Sequence, residues 1–319
     1  MNLEFIFKKT NQFLAVEKEQ YLELFFRVFR KRIGPDQFDR KYLCTPTGYS
    51  YHGLMIADEQ VVGAYSTIPY SYKYFGKQVM LALSVDTMID EQQRGGPFNL
   101  LKMATLVYDA MKRDNIGFVF GFPNNNAYEV TKKVLKWRDI GELDFYILLQ
   151  NIGGIIPKMS FLNSFSRLFA REMITLPKSP NGREYEYNIQ KLDGKEFDEH
   201  RYDGWYRVID LGHGAKCVFK IYVEAPMART LYVIDVSPLT PNVFDKAIKQ
   251  IYRIIAKSID LIIYVGKLPF PPSTLIKLPE SRKPRKVRMA GKILLPEVID
   301  DRIFKIDNWN VNLSNFDAR

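Results

Sequence analysis

The sequence predicts an α/β protein with mixed sheets, arranged as two successive halves of related design. Short apolar runs typical of strands alternate with amphipathic segments typical of helices along most of the chain. The central stretch, residues 79–137, reads as strand, glycine-containing turn, helix, strand and helix. A similar strand, turn, helix and strand occur between residues 216 and 266. With 319 residues, of which 46% are hydrophobic, the chain is long enough for two domains.

Helices and an antiparallel meander are predicted ahead of the central stretch. Residues 16–33 carry aromatic side chains at helical spacing, among them Tyr21 and Phe25, and a Gly-Pro pair follows them. A shorter helix is expected over residues 38–43. Strands are then expected at residues 51–57, from 61–65 onward through 68–74, and at 79–87, with turns at residues 58–60 and 76–77.

A turn with paired glycines joins the predicted central strand to a helix. Gly95 and Gly96 lack side chains, so backbone amides there can approach an anion closely. The helix behind them carries Leu100, Ala104 and Val107 on one face. Its N-terminal N–H groups and its dipole point to the same place, so the turn predicts a phosphate-binding site. The turn matches neither a Walker loop nor the glycine pattern of dinucleotide folds.

This central stretch resembles the acetyl-coenzyme A (acetyl-CoA) binding half of the GNAT N-acetyltransferase superfamily. The resemblance is carried by the order strand, Gln93-Arg94-Gly95-Gly96, helix and strand, followed by an Asn-rich helix start and Trp137. Residues 122–143 are similar to GNAT members found among polysaccharide-biosynthesis proteins. The likeness covers residues 3–150 well, and it implies a GNAT fold for them.

The resemblance implies acetyl-CoA, or another acyl-CoA, as cosubstrate. In the family, a loop of this type wraps the pyrophosphate, and two strands splay so that the pantetheine arm bonds to exposed backbone. Pro97 or Phe98 stands where the family has its last small residue, so the loop departs from the family pattern there. The implied cofactor-binding residues are Met88, Ile89, Gln93, Arg94, Gly95, Gly96, Pro97, Phe98, Asn125 and Asn126.

Three side chains are candidates for the chemistry of acyl transfer, which needs a base for the amine and an acid for the leaving thiolate. Asp86 on the central strand and Glu91 in the turn are the carboxylates nearest the expected thioester. In the family, a Tyr that acts as the general acid occupies the position that is Thr131 here. Tyr128 is the phenol nearest to that position. The alternatives are a packing role for Tyr128 and a structural hydrogen bond for Asp86.

The second half of the chain is predicted to be a degenerate copy of the first. Its turn, Ser237-Pro238-Leu239-Thr240-Pro241, has no glycine and its prolines lack N–H donors, so no coenzyme is expected there. Strands are also expected at residues 292–299 and 303–306. The predicted division is a coenzyme-binding GNAT domain over residues 1–150, a linker over 151–180, and a degenerate GNAT-like domain over 181–319.

The composition of the chain limits which partners it can bind and in which cellular compartment it is expected. The formal net charge of +10 attracts anions such as coenzyme A, acyl carrier protein or an acidic membrane face. Nucleic acid is not expected, because the basic run at residues 282–288 lacks interleaved aromatic side chains. No metal is expected, since the His and Cys residues show no ligand spacing. Two distant cysteines and the lack of a long apolar run favour a cytoplasmic protein without a membrane span.

The sequence therefore predicts transfer of an acyl group, most simply acetyl, from acetyl-CoA to the amine of a small or sugar-linked acceptor. Two alternatives stay open. In the first, the missing Tyr and the imperfect glycine pattern belong to an inactive sensor or scaffold that binds acyl-CoA. In the second, an acyl carrier protein supplies a long chain, as the charge and the aromatic segment at residues 161–169 suggest. That segment is either a packed connector or a patch that touches lipid.

Overall fold

The structure, a computed structural model, describes residues 3–93, 96–175, 187–192, 194–202, 204–224 and 227–316. It confirms the predicted α/β fold with mixed sheets. The helices are α1 (Ala15–Phe29), α2 (Pro35–Tyr42), α3 (Pro97–Arg113), α4 (Asn125–Val134), α5 (Ile152–Ile155), α6 (Asn163–Thr175), α7 (Lys195–Arg201) and α8 (Pro241–Ile255). The strands are β1 (Leu3–Lys9), β2 (Tyr51–Ala57), β3 (Gln60–Tyr74), β4 (Lys77–Ile89), β5 (Ile116–Gly121), β6 (Arg138–Glu142), β7 (Asp144–Leu149), β8 (Ile189–Lys191), β9 (Arg207–Gly212), β10 (Ala215–Glu224), β11 (Ala228–Ser237), β12 (Leu261–Gly266), β13 (Ile276–Lys277) and β14 (Arg288–Ile293).

The chain divides into two compact units that interleave along the sequence. Segments 188–201 and 287–308, which the sequence pattern placed in the second domain, lie in the first unit. Their strands explain this position, because β8 pairs with β3 and β14 pairs with β5 and β6. The first unit comprises Met1–Glu142, Asn188–Arg201 and Val287–Asn308, and the second comprises Leu143–Tyr187, Tyr202–Lys286 and Trp309–Arg319.

The first unit is built on a sheet with the strand order β1-β2-β3-β4-β5-β14-β6. The pair β4–β5 is parallel, and its neighbours on both sides are antiparallel. The run predicted from 61–65 onward through 68–74 is the strand β3, in which Ser66 and Thr67 pair with both β2 and β4. Helix α3 packs on this sheet through an apolar face that includes Met103, Ala104 and Val107, all fully buried. The spacing read from the sequence therefore identified the buried face of α3.

The second unit is built on a sheet with the order β13-β7-β12-β11-β10-β9. Helix α8 covers it and buries Phe244, Ile248 and Ile251 in the apolar core. The consecutive strands β6 and β7 belong to different sheets, and β14, from late in the chain, lies between β5 and β6 in the first sheet. In the second sheet, β7 is preceded and followed in sequence by strands of the first sheet, and β8 of the first sheet is preceded and followed by strands of the second.

Part of the second sheet repeats the centre of the first, as the sequence predicts. The elements β10, β11, α8 and β12 follow the order of β3, β4, α3 and β5, and β11 is parallel to β12. Register pairing of β11 with β12 ends at Val233–Tyr264. Val218 pairs with Asp235 while Phe219 pairs with Val233, so β11 carries one inserted residue, a β-bulge, directly before Asp235.

The C-terminal segment bonds to the second sheet where β11 and β12 stop pairing. Gly266 at the end of β12 forms an antiparallel bridge with Asn312, and Lys267 N donates to Val311 O at 2.9 Å. Asn312 Nδ2 donates to the buried Asp235 carboxylate at 2.9 Å. A Cβ at position 266 would lie 2.7 Å from Val311 O, so this close approach of backbones requires glycine. The segment therefore fills the end of the parallel strand pair.

Two strand predictions near the C-terminus are wrong in their extent or kind. The strand predicted at residues 292–299 is confined to β14, which ends at Ile293. The segment predicted as a strand at 303–306 begins instead with a 3₁₀ turn at Asp301–Phe304. The side chain of Asp300 accepts a hydrogen bond from Arg302 N at 3.0 Å, which caps this turn. Local capping by Asp300 outweighs the β propensity of the isoleucines.

Candidate functional site

Strands β4 and β5 stop pairing near the middle of the first sheet. Their parallel register runs from Met80–Ile116 to Leu83–Phe120. Strand β5 then ends at Gly121, whereas β4 continues to Ile89. The last part of β4 therefore presents backbone N–H and C=O groups on the side that faced β5. Such groups are open to an extended ligand that pairs with a strand edge.

A β-bulge beyond this point in β4 carries Asp86. Ser66 pairs with Val85 and Ala64 with Met88, so β4 has an inserted residue relative to β3 there. Asp86 adopts φ +43°, a conformation that is uncommon for a residue other than glycine. Bulges re-aim side chains and are frequent beside active sites. The bulge therefore changes the direction of the Asp86 side chain relative to the regular alternation of β4.

The Asp86 carboxylate is held by two side chains of α2. Lys41 Nζ and Tyr42 OH both donate to Asp86 Oδ2. Lys41 is buried, with a side-chain exposure of 5%. Burial, together with the nearby Asp86 carboxylate, raises the pKa of Tyr42 well above its usual value. Tyr42 therefore stays protonated and remains a donor, and the carboxylate is fixed by one ion pair and one hydrogen bond.

A buried chain of hydrogen bonds extends from Tyr42 into the first unit. Tyr21 OH donates to Tyr42 OH at 3.0 Å and lies 2.9 Å from Ser66 Oγ. His52 Nδ1 lies 2.9 Å from Ser66 Oγ, and its Nε2 lies 2.9 Å from Thr10 Oγ1. Burial lowers the pKa of His52 to about 3, so the ring is neutral at neutral pH and offers one donor and one acceptor. The network ties α1, α2, β2 and β3 together behind Asp86.

Sequence reasoning missed Lys41 and Tyr42 as partners of the site. A signal for them exists, since Phe38, Lys41 and Tyr42 follow the i, i+3, i+4 spacing of one helical face. All three are buried. A lysine on an apolar helical face needs a buried acidic partner, and that requirement points to Asp86 or another carboxylate nearby.

The start of α3 comes one short turn after the end of β4. Gly96 is the N-cap residue and adopts φ +106°, and open space surrounds the position of a Cβ. Pro97 at the first helical position lacks an N–H, so the amides of Gly96, Phe98 and Asn99 are the donors of this helix end. Helix α3 has no acidic residue in its first turn. The helix end is therefore suited to an anionic group.

The remaining residues of the turn differ in their exposure. Asn99 Nδ2 donates to Gln93 O at 3.2 Å and joins the turn to the helix. Phe98 is strongly exposed, and Glu91 is exposed in the turn that precedes Gln93. Met88 is buried, whereas Ile89 is partly exposed. Arg94 and Gly95 lie outside the described residues.

Helix α4 begins with the asparagine run. Asn124 is the N-cap, and its side chain accepts a hydrogen bond from Ala127 N at 2.9 Å. Asn125 and Asn126 are exposed in the first turn. Asn125 Oδ1 accepts a hydrogen bond from Arg288 Nη1 at 3.4 Å. The predicted helix thus starts where its Asn-rich sequence indicates, because Asn is a favoured N-cap.

Tyr128 belongs to a different side-chain cluster from Asp86. Its hydroxyl donates to Asp139 Oδ1 at 2.6 Å, and Lys132 Nζ lies 3.3 Å away. The Arg288 guanidinium lies 4.4 Å from the centroid of the Tyr128 ring. The hydrogen bond to Asp139 raises the pKa of Tyr128, so the phenol is protonated at neutral pH. Thr131 bonds to the helix backbone, with its Oγ1 2.8 Å from Ala127 O.

The described residues contain neither a metal-binding cluster nor a membrane-spanning helix. Within them, no group of three or more His, Cys, Asp or Glu side chains is arranged to hold a metal ion. In the same part of the chain, each helix is too short or too polar to cross a lipid bilayer.

Comparison with known proteins gives a fold likeness without sequence similarity. No family model matches the sequence, and no curated protein matches it. A protein of unknown function from Enterococcus faecalis, described as a probable N-acyltransferase, superposes with a TM-score of 0.56 at 10% identity, covering 92% of this chain and 73% of that one. A GCN5-related N-acetyltransferase from Anabaena variabilis gives 0.56 at 12% identity, with 91% and 73% covered. Another, from Kribbella flavida, gives 0.56 at 11% identity, with 92% and 71% covered.

These likenesses extend over both units of the chain, since more than nine-tenths of it is covered in each case. At 10–12% identity they establish architecture rather than activity. The chain therefore has the two-domain fold of the GCN5-related N-acetyltransferases.

Proposed function

We propose that the protein is an N-acyltransferase that binds acetyl-CoA, or another acyl-CoA, where β4 and β5 part. The observation that carries the proposal is the end of the parallel pairing at Leu83–Phe120, next to the bulge at Asp86 and the exposed start of α3. A strand edge, a fixed carboxylate and a helix end suited to an anion occur together there. The proposal is supported by the fold likeness to proteins described as GCN5-related N-acetyltransferases.

The coenzyme would bind along the end of β4 and the start of α3. Backbone groups of Met88 and Ile89 are proposed to pair with the pantetheine amides, as the resemblance implies. The pyrophosphate would lie at the N-terminus of α3, where the amides of Gly96, Phe98 and Asn99 and the helix dipole favour negative charge. The remaining proposed contacts are Gln93, Arg94, Gly95 and Pro97 in the loop and Asn125 and Asn126 at the start of α4.

Asp86 is proposed as the base, directly or through water, and Glu91 is the alternative carboxylate. The amine nitrogen attacks the thioester carbonyl carbon and gives up a proton towards Asp86. Collapse of the tetrahedral intermediate breaks the C–S bond, and the thiolate takes a proton. Lys41 and Tyr42 act as positioning residues, since both bond to the Asp86 carboxylate.

Tyr128 is proposed as the acid that protonates the thiolate. Its hydroxyl is protonated but donates to Asp139 Oδ1, so it must leave that hydrogen bond before it reaches a leaving group. The acceptor is proposed to be a small or sugar-linked amine. An acyl carrier protein that supplies a longer chain is the alternative donor, which the net charge of +10 favours.

A second candidate function is an acyl-CoA-binding sensor or scaffold without turnover. One specific observation favours it. Thr131 occupies the position expected for the Tyr that acts as the general acid, so no phenol is present at that position. The Thr131 hydroxyl instead donates to the carbonyl oxygen of Ala127. The first unit would then bind the coenzyme and leave it intact.

Calorimetric titration with acetyl-CoA tests the binding half of the proposal. We expect wild-type protein to bind, and Gly96→Glu to weaken binding at least about tenfold, since a carboxylate would face the pyrophosphate. Gly76→Glu is the matched control, because Gly76 also has a positive φ and open space around its Cβ position. Gly95→Glu serves as a neighbouring variant. Absence of binding by the wild type to acetyl-CoA and to longer acyl-CoAs would refute the sensor, and it would leave acyl carrier protein as the only proposed donor for the transferase.

Release of free thiol in the presence of a library of amines tests the catalytic half. Turnover with any amine supports the transferase and excludes the sensor. Binding without turnover in the whole library supports the sensor. Transfer from acyl carrier protein but not from acetyl-CoA would identify the alternative donor.

A further inference from the structure

Helix α6 and the 3₁₀ turn before it, Pro157–Leu162, present an exposed apolar face in the second unit. The opposite side of α6 already supplies the core of the second unit, where Ser166, Ala170 and Ile174 are buried. The helix is therefore held in place by one face while the other shows large apolar groups to solvent. The exposed side chains are Phe161 (78%), Phe165 (70%), Leu168 (56%) and Phe169 (42%).

These four side chains make up the aromatic face of the second unit. Steps of three and one residues bring Phe165, Leu168 and Phe169 to the same side of α6, which has 3.6 residues per turn, and Phe161 lies in the 3₁₀ turn that leads directly into α6. Ile156, exposed just before the turn, extends the apolar surface. Single exposed apolar side chains are ordinary, but a contiguous group of this size on one soluble surface marks an interaction site.

Positive charge borders the aromatic face. Lys158 precedes it, and the exposed Arg171 lies three positions after Leu168 on the same helix. Arg167 lies towards the buried side of α6, where its Nε donates to Asn151 Oδ1 at 2.6 Å. Glu172, exposed four positions after Leu168, is the acidic side chain of the aromatic face, and Lys158 and Arg171 outnumber it. The chain as a whole carries a formal charge of +10. A second copy of the protein would bring the same positive charges together, whereas an anionic surface complements them.

We propose that the aromatic face binds the protein peripherally to an anionic lipid bilayer. Phenyl and leucyl groups on one side of a helix, with lysine and arginine at its border, are the features of helices that lie in the plane of a membrane interface. The rings would enter the boundary between headgroups and acyl chains, and Lys158 and Arg171 would contact the phosphates. Because α6 is anchored in the second core, the membrane receives a preformed face and no segment has to fold on binding.

Sedimentation of the full-length protein with vesicles tests the proposal. We expect binding to vesicles of phosphatidylcholine with about 30% phosphatidylglycerol, about ten times weaker binding to phosphatidylcholine alone, and loss of about tenfold affinity for each ring removed in Phe161→Ser/Phe165→Ser. The matched control is Val223→Ser/Met227→Ser, which removes two strongly exposed apolar side chains elsewhere in the same unit. Circular dichroism and thermal unfolding confirm that each variant is folded.

A second pair of measurements distinguishes a bilayer from a second copy of the protein as the partner. Lys158→Gln/Arg171→Gln should remove most of the preference for anionic vesicles and leave the weaker binding to neutral ones. Wild-type protein that stays in the supernatant with anionic vesicles would overturn the proposal. So would binding that the aromatic variant does not reduce. A concentration-dependent dimer in light scattering that Phe161→Ser/Phe165→Ser abolishes would assign the face to a second copy instead. Acetyl-CoA titration of the same variants reports on the proposed transferase separately.

Discussion

Each of the two sheets contains a parallel strand pair joined by a helix, and the two units differ in how that connecting helix begins. In the first sheet, β4 runs on past β5 to an exposed helix start capped by Gly96, which has no side chain. In the second, the Thr240 hydroxyl satisfies Val243 N at the start of α8, and Asn312 bonds to both strands. The N–H donors at the start of α3 are thus exposed in the first unit. In the second unit, the corresponding helix start and strand ends are bonded by other groups of the protein itself.

The bulge shows the same contrast. Asp86 lies within the bulge of β4 and Asp235 directly follows the bulge of β11, and both carboxylates are bonded by a tyrosine. Asp86 is partly exposed, whereas Asp235 is buried and bonded to Asn312 and Tyr202. An aspartate next to a bulge is therefore partly open to solvent in one unit and enclosed by structural hydrogen bonds in the other.

The largest expected effect comes from replacing Asp86 or Asp235, each in a separate variant, by asparagine. Asp86→Asn should lower kcat/KM by roughly 10²–10⁴-fold, because a base is lost, with little change in acetyl-CoA affinity. Asp235→Asn should leave kcat/KM nearly unchanged and lower the free energy of unfolding by about 1–3 kcal/mol, because buried donors lose their acceptor. Thiol-release kinetics and urea unfolding of both variants check this. Equal effects of the two substitutions on turnover would contradict the division of roles.

Removal of the C-terminal segment tests whether it only fills the second strand pair. Ending the chain after Asn310 removes Val311, Asn312 and Leu313, all buried, and should reduce the free energy of unfolding by about 3 kcal/mol. Asn312→Ala alone should cost about 1 kcal/mol. Acetyl-CoA stoichiometry should remain one per chain. A stoichiometry of two for the shortened chain would show that the second pair is a coenzyme site held closed by its own chain.

Substitutions at the two helix starts should have smaller effects, which differ in whether coenzyme binding changes. Thr240→Ala should lower the free energy of unfolding by about 1 kcal/mol without affecting coenzyme binding, because a cap of α8 is lost. Gly96→Ala places a Cβ at φ +106° and should cost about 1–2 kcal/mol and weaken acetyl-CoA binding several-fold. Chemical denaturation and calorimetry of both variants provide the test. A coenzyme affinity that responds to Thr240→Ala would argue for a site in the second unit.

The last expected effect is a pH dependence of stability that originates in the first sheet. Burial lowers the pKa of His52 to about 3, so between pH 6.5 and 3 the unfolded chain binds a proton that the folded chain does not. Stability from this group is fully present above pH 6.5 and is lost as the pH falls, by at most about 1.4 kcal/mol per pH unit. His52→Gln should flatten this slope in urea titrations from pH 7 to 4. An unchanged slope would mean that other groups dominate acid unfolding.

Much of the fold could be predicted because its periodicity is local. The face of α3 and the strands around it follow from spacing, and the order of elements in the second half indicated the repeat. The assignment of β7 and β14 to opposite sheets depends on contacts between residues far apart in sequence, which no local pattern contains.

The candidate site could be predicted only in part for the same reason. Asp86 and the loop before α3 lie next to one another in sequence, so the strand and turn pattern pointed to them. Lys41 and Tyr42 reach Asp86 across 45 and 44 positions of sequence, and their role follows from tertiary packing. The roles assigned to Tyr128, Glu91 and the coenzyme-binding residues stay predictions.

The placement of β14 between β5 and β6 has a consequence for how the protein is made. During translation, the first sheet has its β5 and β6 strands available long before residues 288–293 leave the ribosome. Until then, both strands expose unpaired edges, a condition that favours association with chaperones or with other nascent chains. A gene fragment that stops at residue 150 would release this unfinished intermediate permanently, so dissecting the protein into halves should yield aggregates rather than two working domains.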